Sequence, residues 1–126
     1  MAKKEHWKDE PEEHDFPAAA DYLSLVLPDA DAGRVVDSLQ GAPLVHRKAK
    51  DLLRASGLPL LKEGSPHVAA DLAKVRRGQL LSPVLLVRGR ARDGVPLTVA
   101  DGYHRICASY HLDPDELVAC RIVDLP

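Results

Sequence analysis

Aromatic side chains are scarce in this sequence: one tryptophan, one phenylalanine and three tyrosines, 4 % of 126 residues. A core cannot be built around stacked rings here, so it must be aliphatic, drawn from Leu, Val and Ala with Ile106 and Ile122. Cysteine is nearly absent. Cys107 and Cys120 form neither a Cys-x-x-Cys pair nor the even, dense spacing of a disulfide framework. Charge of one sign is also missing: the formal net charge is −2 and the pI about 6.3, which excludes a global attraction to nucleic acid or acidic membranes. No apolar run approaches the roughly 18 residues of a membrane span. The first fifteen residues are charged rather than apolar, unlike a signal peptide. The expectation is a reduced, cytoplasmic protein without a membrane partner.

What is present is ordinary for a globular chain, 45 % hydrophobic and 29 % charged, and the length suits one domain with a modest core. Residues 1–15 mix both signs of charge with Pro11 and a single large apolar side chain, Trp7. Such a segment reads as a mobile tail that Trp7 can dock. Residues 16–57 read as an N-terminal helical extension. One helix follows Asp15 as cap and Pro17, with Leu23, Val26 and Leu27 on one stripe. A second opens at Asp29 and ends at Gly41. A third follows Pro43, with Leu44, Leu52 and Leu53 opposite a basic side of His46, Arg47, Lys48, Lys50 and Arg54, and ends at Gly57.

Residues 58–126 change character and read as an α/β domain, a small mixed sheet with flanking helices. Leu58-Pro59-Leu60-Leu61 suggests a short edge strand. Ser65-Pro66 suits a helix start, and the helix runs to about Arg77 with Gly78 beyond it. Pro83 to Val87 is a near-continuous apolar strand, expected to be buried on both faces. Arg92-Asp93-Gly94 turns the chain into a strand at Leu97–Ala100. A helix then runs to about His111, Asp113-Pro114 breaks it, and Leu117 to Val123 closes the sheet.

The chemistry concentrates at Asp101-Gly102-Tyr103-His104-Arg105, where a strand enters a glycine turn and leaves as a helix. Exposed N–H groups at a helix start, with the helix dipole, favour an anion. Gly102 permits a sharp bend and close backbone approach. Arg105 offers a planar fork suited to phosphate or carboxylate. His104 can donate a hydrogen bond or carry a proton near neutral pH. Asp101 can cap the helix, or bind a metal or a hydroxyl group. The plain alternative is a structural turn in which Asp101 caps and Arg105 pairs with a carboxylate.

The order Pro83-Val84-Leu85-Leu86-Val87, turn, Leu97 to Ser109, closing strand resembles the ParB/sulfiredoxin-like superfamily over residues 58 to 123. The resemblance implies a nucleotide site, with Gly102, Tyr103, His104 and Arg105 around the phosphates. It also implies Asp101 orienting the group, with or without Mg²⁺, and ATP, ADP or CTP as the ligand. Sulfiredoxins carry a cysteine before the His-Arg pair, where Tyr103 stands here; a phenol cannot replace the attacking thiolate, so that reaction is not expected. Partition proteins of the superfamily have arginine where His104 stands and continue into a helix-turn-helix region, so chromosome partitioning is not expected either. The serine kinases of the group use an upstream carboxylate as base, a role that would fall to Glu63 alongside Asp101 and His104.

Two further patterns carry weaker expectations. His104, Cys107 and His111 recur at i, i+3 and i+7, residue types that suit zinc, but no fourth ligand is evident and the cysteine fits a core equally well. The basic run from His46 to Arg54 and the group Lys74, Arg76 and Arg77 can meet nucleic-acid phosphates, or simply face solvent. The leading expectation is a nucleotide- or phosphate-binding domain, acting as a phosphotransferase or a nucleotide-dependent switch. The other is a non-catalytic regulatory or interaction module, associated or not with DNA.

Overall fold

A computed structural model describes residues 6–126. Among them are five α-helices, one turn of 3₁₀ helix and a four-stranded mixed sheet, so the chain is a small α/β domain. Helix α1 spans Asp15–Val26 and α2 Asp29–Gly41. Strand β1 (Val45–Lys48) runs directly into α3 (Ala49–Ser56). After α4 (Pro66–Arg76) come β2 (Val84–Val87), β3 (Thr98–Asp101), α5 (Tyr103–Leu112) and β4 (Leu117–Val123). The sheet order is β1-β4-β2-β3, with β4 and β2 parallel and both outer pairs antiparallel.

The all-apolar β2 lies inside the sheet with every residue buried, as a strand covered on both faces must be. Its period of two divides the core. Val84 and Leu86 face α3, α4 and α5 together with Val118, Cys120, Leu72 and Ile106. Leu85 and Val87 face α1 and α2, meeting Ala19, Leu23, Val35 and Leu39. The helical stripes supply the other side of each layer: Ala19 and Leu23 on α1, Ala32, Val35 and Leu39 on α2, Val68, Leu72 and Val75 on α4. Gly57 closes α3 in the left-handed conformation at φ 69°, its N–H bonded to Leu53 and Arg54 carbonyls.

Three local expectations change. The third helix begins at Ala49, because Val45–Lys48 pairs antiparallel with β4, Val45 opposite Cys120 and Lys48 opposite Leu117. The segment 16–57 therefore contributes a strand to the same sheet, and α2 packs on β4. Leu58–Leu61 joins no strand. Its carbonyls are taken by side chains instead: Tyr103 Oη donates to Pro59 O, and His111 Nε2 lies 2.6 Å from Leu61 O. Within the charged leader, residues 1–5 fall outside the described residues. Trp7 is 3 % exposed and bridges in parallel to Leu81, with Lys8 N donating to Leu81 O and Leu81 N to His6 O. One large aromatic ring thus seats the segment that leads into α1.

Candidate functional site

The turn between β3 and α5 is fixed by a close approach. Gly102 has φ 112°, and a Cβ there would fall inside the Val84 side chain, 2.7 Å from its Cβ. Glycine is required on both counts. No side chain caps α5; its first bond runs from Ile106 N to Gly102 O at 3.1 Å. The backbone N–H groups of Tyr103, His104 and Arg105 precede that bond, the arrangement that makes a helix start favourable to anions.

Arg105 does not simply reach outward. One terminal nitrogen, Nη2, donates to Asp101 Oδ2 at 2.7 Å. The other, Nη1, donates to Ser82 O at 2.8 Å and to Ser82 Oγ, and lies 3.7 Å from Asp15 Oδ2. Asp15 is almost fully buried and also accepts from Glu12 N at 3.0 Å. Asp15 and Asp101 both approach this one guanidinium. Burial first holds the Asp101 carboxyl above its ordinary range against the pull of Arg105, and the Asp15 carboxylate adds to the rise.

In front of this ionic cluster is a cleft of about 310 Å³ between the leader to α1, α4 and the start of α5. Asp15, Asp101, Gly102, His104 and Arg105 line it with His67, Asp71 and Lys74 of α4 and Glu12 and His14 of the leader. The rings of His67 and His104 are 4.8 Å apart between centroids. His104 is held below the usual histidine range, first by burial and then by the charge that His67 can carry. Asp71 is pushed upward by burial, partly offset by Lys74, Arg105, His104 and His67. Four carboxylates, three imidazoles, one ammonium and one guanidinium therefore meet at one opening. Such a site can hold a charged ligand and move a proton on it.

Of the residues singled out from the sequence, Asp101, Gly102, His104 and Arg105 come together at this cleft. Tyr103 turns its hydroxyl toward Pro59, and its ring lies 5.6 Å from that of His104. Glu63 does not line the cleft: it is exposed in the loop before α4 and lies 3.6 Å from His111 Nδ1, on the last turn of α5. The helical rise separates that end from His104, so Glu63 as a base for chemistry at the turn has no geometric support. Cys107 is buried, its thiol pushed up by burial with the Leu61 backbone offsetting part of the rise. Cys120, also buried, has its thiol pushed up to about 11. Among the described residues no three His, Cys, Asp or Glu side chains are grouped to hold a metal ion.

The basic run is largely neutralised by its neighbours. Lys50 lies 2.7 Å and Lys48 3.9 Å from Asp115, and Arg54 lies 3.5 Å from Asp51. His46, Arg47 and Lys48 are spread along β1 rather than gathered on one helix face. Among the described residues no helix is long and apolar enough to cross a membrane.

Sequence reasoning missed Asp15 and Ser82 as partners of Arg105. Asp15 reads as a cap, and nothing local marks its contact 90 positions away. The α4 residues carried a usable signal: His67, Asp71 and Lys74 recur at i, i+4 and i+7, a polar stripe on a helix that otherwise buries Val68, Leu72 and Val75. No protein-family model, curated protein or solved structure matches this chain.

Proposed function

We propose that this chain is a phosphate-binding domain of the ParB/sulfiredoxin-like kind, taking the phosphate groups of a nucleotide such as ATP, ADP or CTP, with or without Mg²⁺. The observation that carries the reading is the facing pair His67 and His104 at the uncapped start of α5, with Lys74 on the same cleft. An anion there meets backbone N–H groups, two imidazoles that can protonate in response to it, and an ammonium group. The sequence of the turn supports the same reading through its resemblance to that superfamily. Arg105 takes a different part from the one its fork suggested. It ties the turn to Ser82, Asp101 and Asp15 at the back of the cleft.

A thermal-shift series with ATP, ADP and CTP, each with and without Mg²⁺, tests the reading. A ligand at a hundred times its dissociation constant stabilises the fold by roughly 2.7 kcal/mol, a rise of several degrees in Tm. The rise should shrink in His104→Gln and in Lys74→Ala. An unchanged Tm with every nucleotide at millimolar concentration would overturn it. The engagement of Arg105 by the chain's own groups favours a second reading, a non-catalytic interaction module with a purely structural turn. A flat nucleotide series is the result that reading requires.

A further inference from the structure

We infer that the second half of α1 and the loop from β2 to β3 form a self-complementary face, and that its occupant is a second copy of this chain in a two-fold pair. None of the residues of this face lines the cleft at the start of α5, so the pairing does not depend on the phosphate reading. A helix laid on a sheet needs one apolar stripe. Helix α1 has two. Ala19 and Leu23 are buried against the sheet. Tyr22, Leu25 and Val26, at i, i+3 and i+4, make a second stripe turned outward, with Leu25 83 % and Val26 53 % exposed. A single exposed leucine is ordinary, but a contiguous run of large apolar side chains marks a surface that something covers.

Shape and charge both point to a second copy. Beside the stripe is a hollow of about 180 Å³, lined chiefly by Leu23, Val26, Leu27, Val87, Val95 and Leu125. It is smaller than the roughly 300 Å³ at which small-molecule pockets begin, and apolar enough for an aliphatic side chain. Val26 belongs to both the ridge and the hollow, so knob and hole adjoin on one face. A two-fold axis closes such a face on itself: each copy's Leu25 enters the other's hollow. Helix α1 carries Asp15 and Asp21 and no Lys or Arg. The loop from β2 to β3 carries Arg88, Arg90 and Arg92 against Asp93. Arg88 already lies 2.8 Å from Asp124. Arg90 is exposed and pairs antiparallel with Val95, Arg90 N donating to Val95 O at 2.8 Å and Val95 N to Arg90 O at 2.9 Å. Residues paired in this way project to the same side, so Arg90 stands beside the hollow that Val95 lines. Asp21 stands one turn before Leu25 on the ridge. In the two-fold pair the acidic helix of each copy faces the basic loop of the other.

Sedimentation velocity on the full chain tests the pairing. At about 100 µM the wild type should run as two 13.7 kDa chains together. Leu25→Asp should run as a monomer at the same concentration, with an unchanged circular dichroism spectrum because the side chain is exposed. Asp21→Lys and Arg90→Glu should each weaken association by about threefold or more, and the two in one chain should recover it, since the exchange rebuilds the attraction with reversed signs. A monomeric wild type at about 100 µM would overturn the pairing and leave the stripe to a different protein. A dimer that Leu25→Asp leaves intact would overturn it too, as would assemblies larger than two, which a two-fold face cannot build. Should Leu25→Asp fail to fold, the charge exchange decides: no recovery in the double variant overturns the pairing.

Discussion

Arg105 and Asp101 lie one helical turn apart across the β3–α5 junction, Nη2 to Oδ2 at 2.7 Å, and with Ser82 and Asp15 they join three separate stretches of chain at one point. The guanidinium is mostly buried, so its removal strands two acidic groups away from water. Breaking such a buried pair costs about 3–5 kcal/mol. Arg105→Ala is therefore expected to lower the denaturant midpoint sharply, and loss of ligand binding in that variant would reflect unfolding as much as chemistry. Asp15→Asn/Asp101→Asn/Arg105→Met should recover part of the loss, measured by urea unfolding.

Gly102 is a second point of rigidity. At φ 112° any L side chain is strained, and its Cβ would enter the space of Val84. Backbone strain of this kind costs about 1–3 kcal/mol, and the clash with a strand that cannot retreat adds to it. Gly102→Ala should be strongly destabilised in thermal unfolding. Val84→Ala, combined with it, should remove the contact with the valine methyl but keep a Cβ 2.7 Å away as well as the dihedral strain, so rescue should be small.

Trp7 gives a direct measure of how firmly the leader is seated. Its ring is 3 % exposed and belongs to the core on the α3, α4 and α5 side. Truncating a buried tryptophan costs about 3–5 kcal/mol, so Trp7→Ala should show a correspondingly lower urea midpoint. As the single tryptophan of the chain, it should also emit as a buried indole in the native protein. A solvent-exposed emission spectrum would contradict the docking of the leader.

The histidine pair predicts opposite pH effects on binding and on stability. His104 is held below its ordinary value chiefly by burial, then by His67. A bound phosphate favours the charged imidazole, so its pKa rises on binding and affinity for pyrophosphate should be greater at about pH 6 than at about pH 8. Without ligand the unfolded chain takes the proton more readily than the folded one. The contribution of His104 to stability is then lost as pH falls through the unfolded histidine range near roughly 6.5. Titrations at the two pH values and paired urea melts check both signs.

Asp71 predicts a gain. Burial raises its carboxyl pKa despite the cations around it, so the charged form costs stability at neutral pH. Asp71→Asn should melt at a higher temperature than wild type at pH 7. The advantage should vanish as pH falls below the unfolded aspartate value of roughly 3.9, where both chains carry an uncharged group.

Much of the architecture is legible in the sequence because it depends on local periodicity and punctuation. The spans of α2 and α4, the unbroken apolar run of β2, the glycine turn into α5 and the span of β4 from Leu117 to Val123 all follow from spacing and from Gly and Pro chemistry. The strand at Val45–Lys48 is not legible in this way. His46, Arg47 and Lys48 have no alternation of their own, and they are extended because the free edge of β4 offers them hydrogen-bond partners. Leu58–Leu61 fails as a strand for the converse reason, since Pro59 lacks an N–H and side chains of α5 take the carbonyls around it.

The candidate site divides along the same line. The sequence alone placed Asp101, Gly102, His104 and Arg105 at one strand-to-helix turn, because consecutive residues are together in any fold that forms that turn. Tertiary packing alone decided that Asp15 and Ser82 satisfy Arg105, that His67, Asp71 and Lys74 face His104, and that Glu63 belongs with His111 at the far end of α5. Those contacts join residues distant along the chain. They exist because the two core layers on either side of β2 bring α1 and α4 against the start of α5, and no local preference of the residues themselves encodes that meeting.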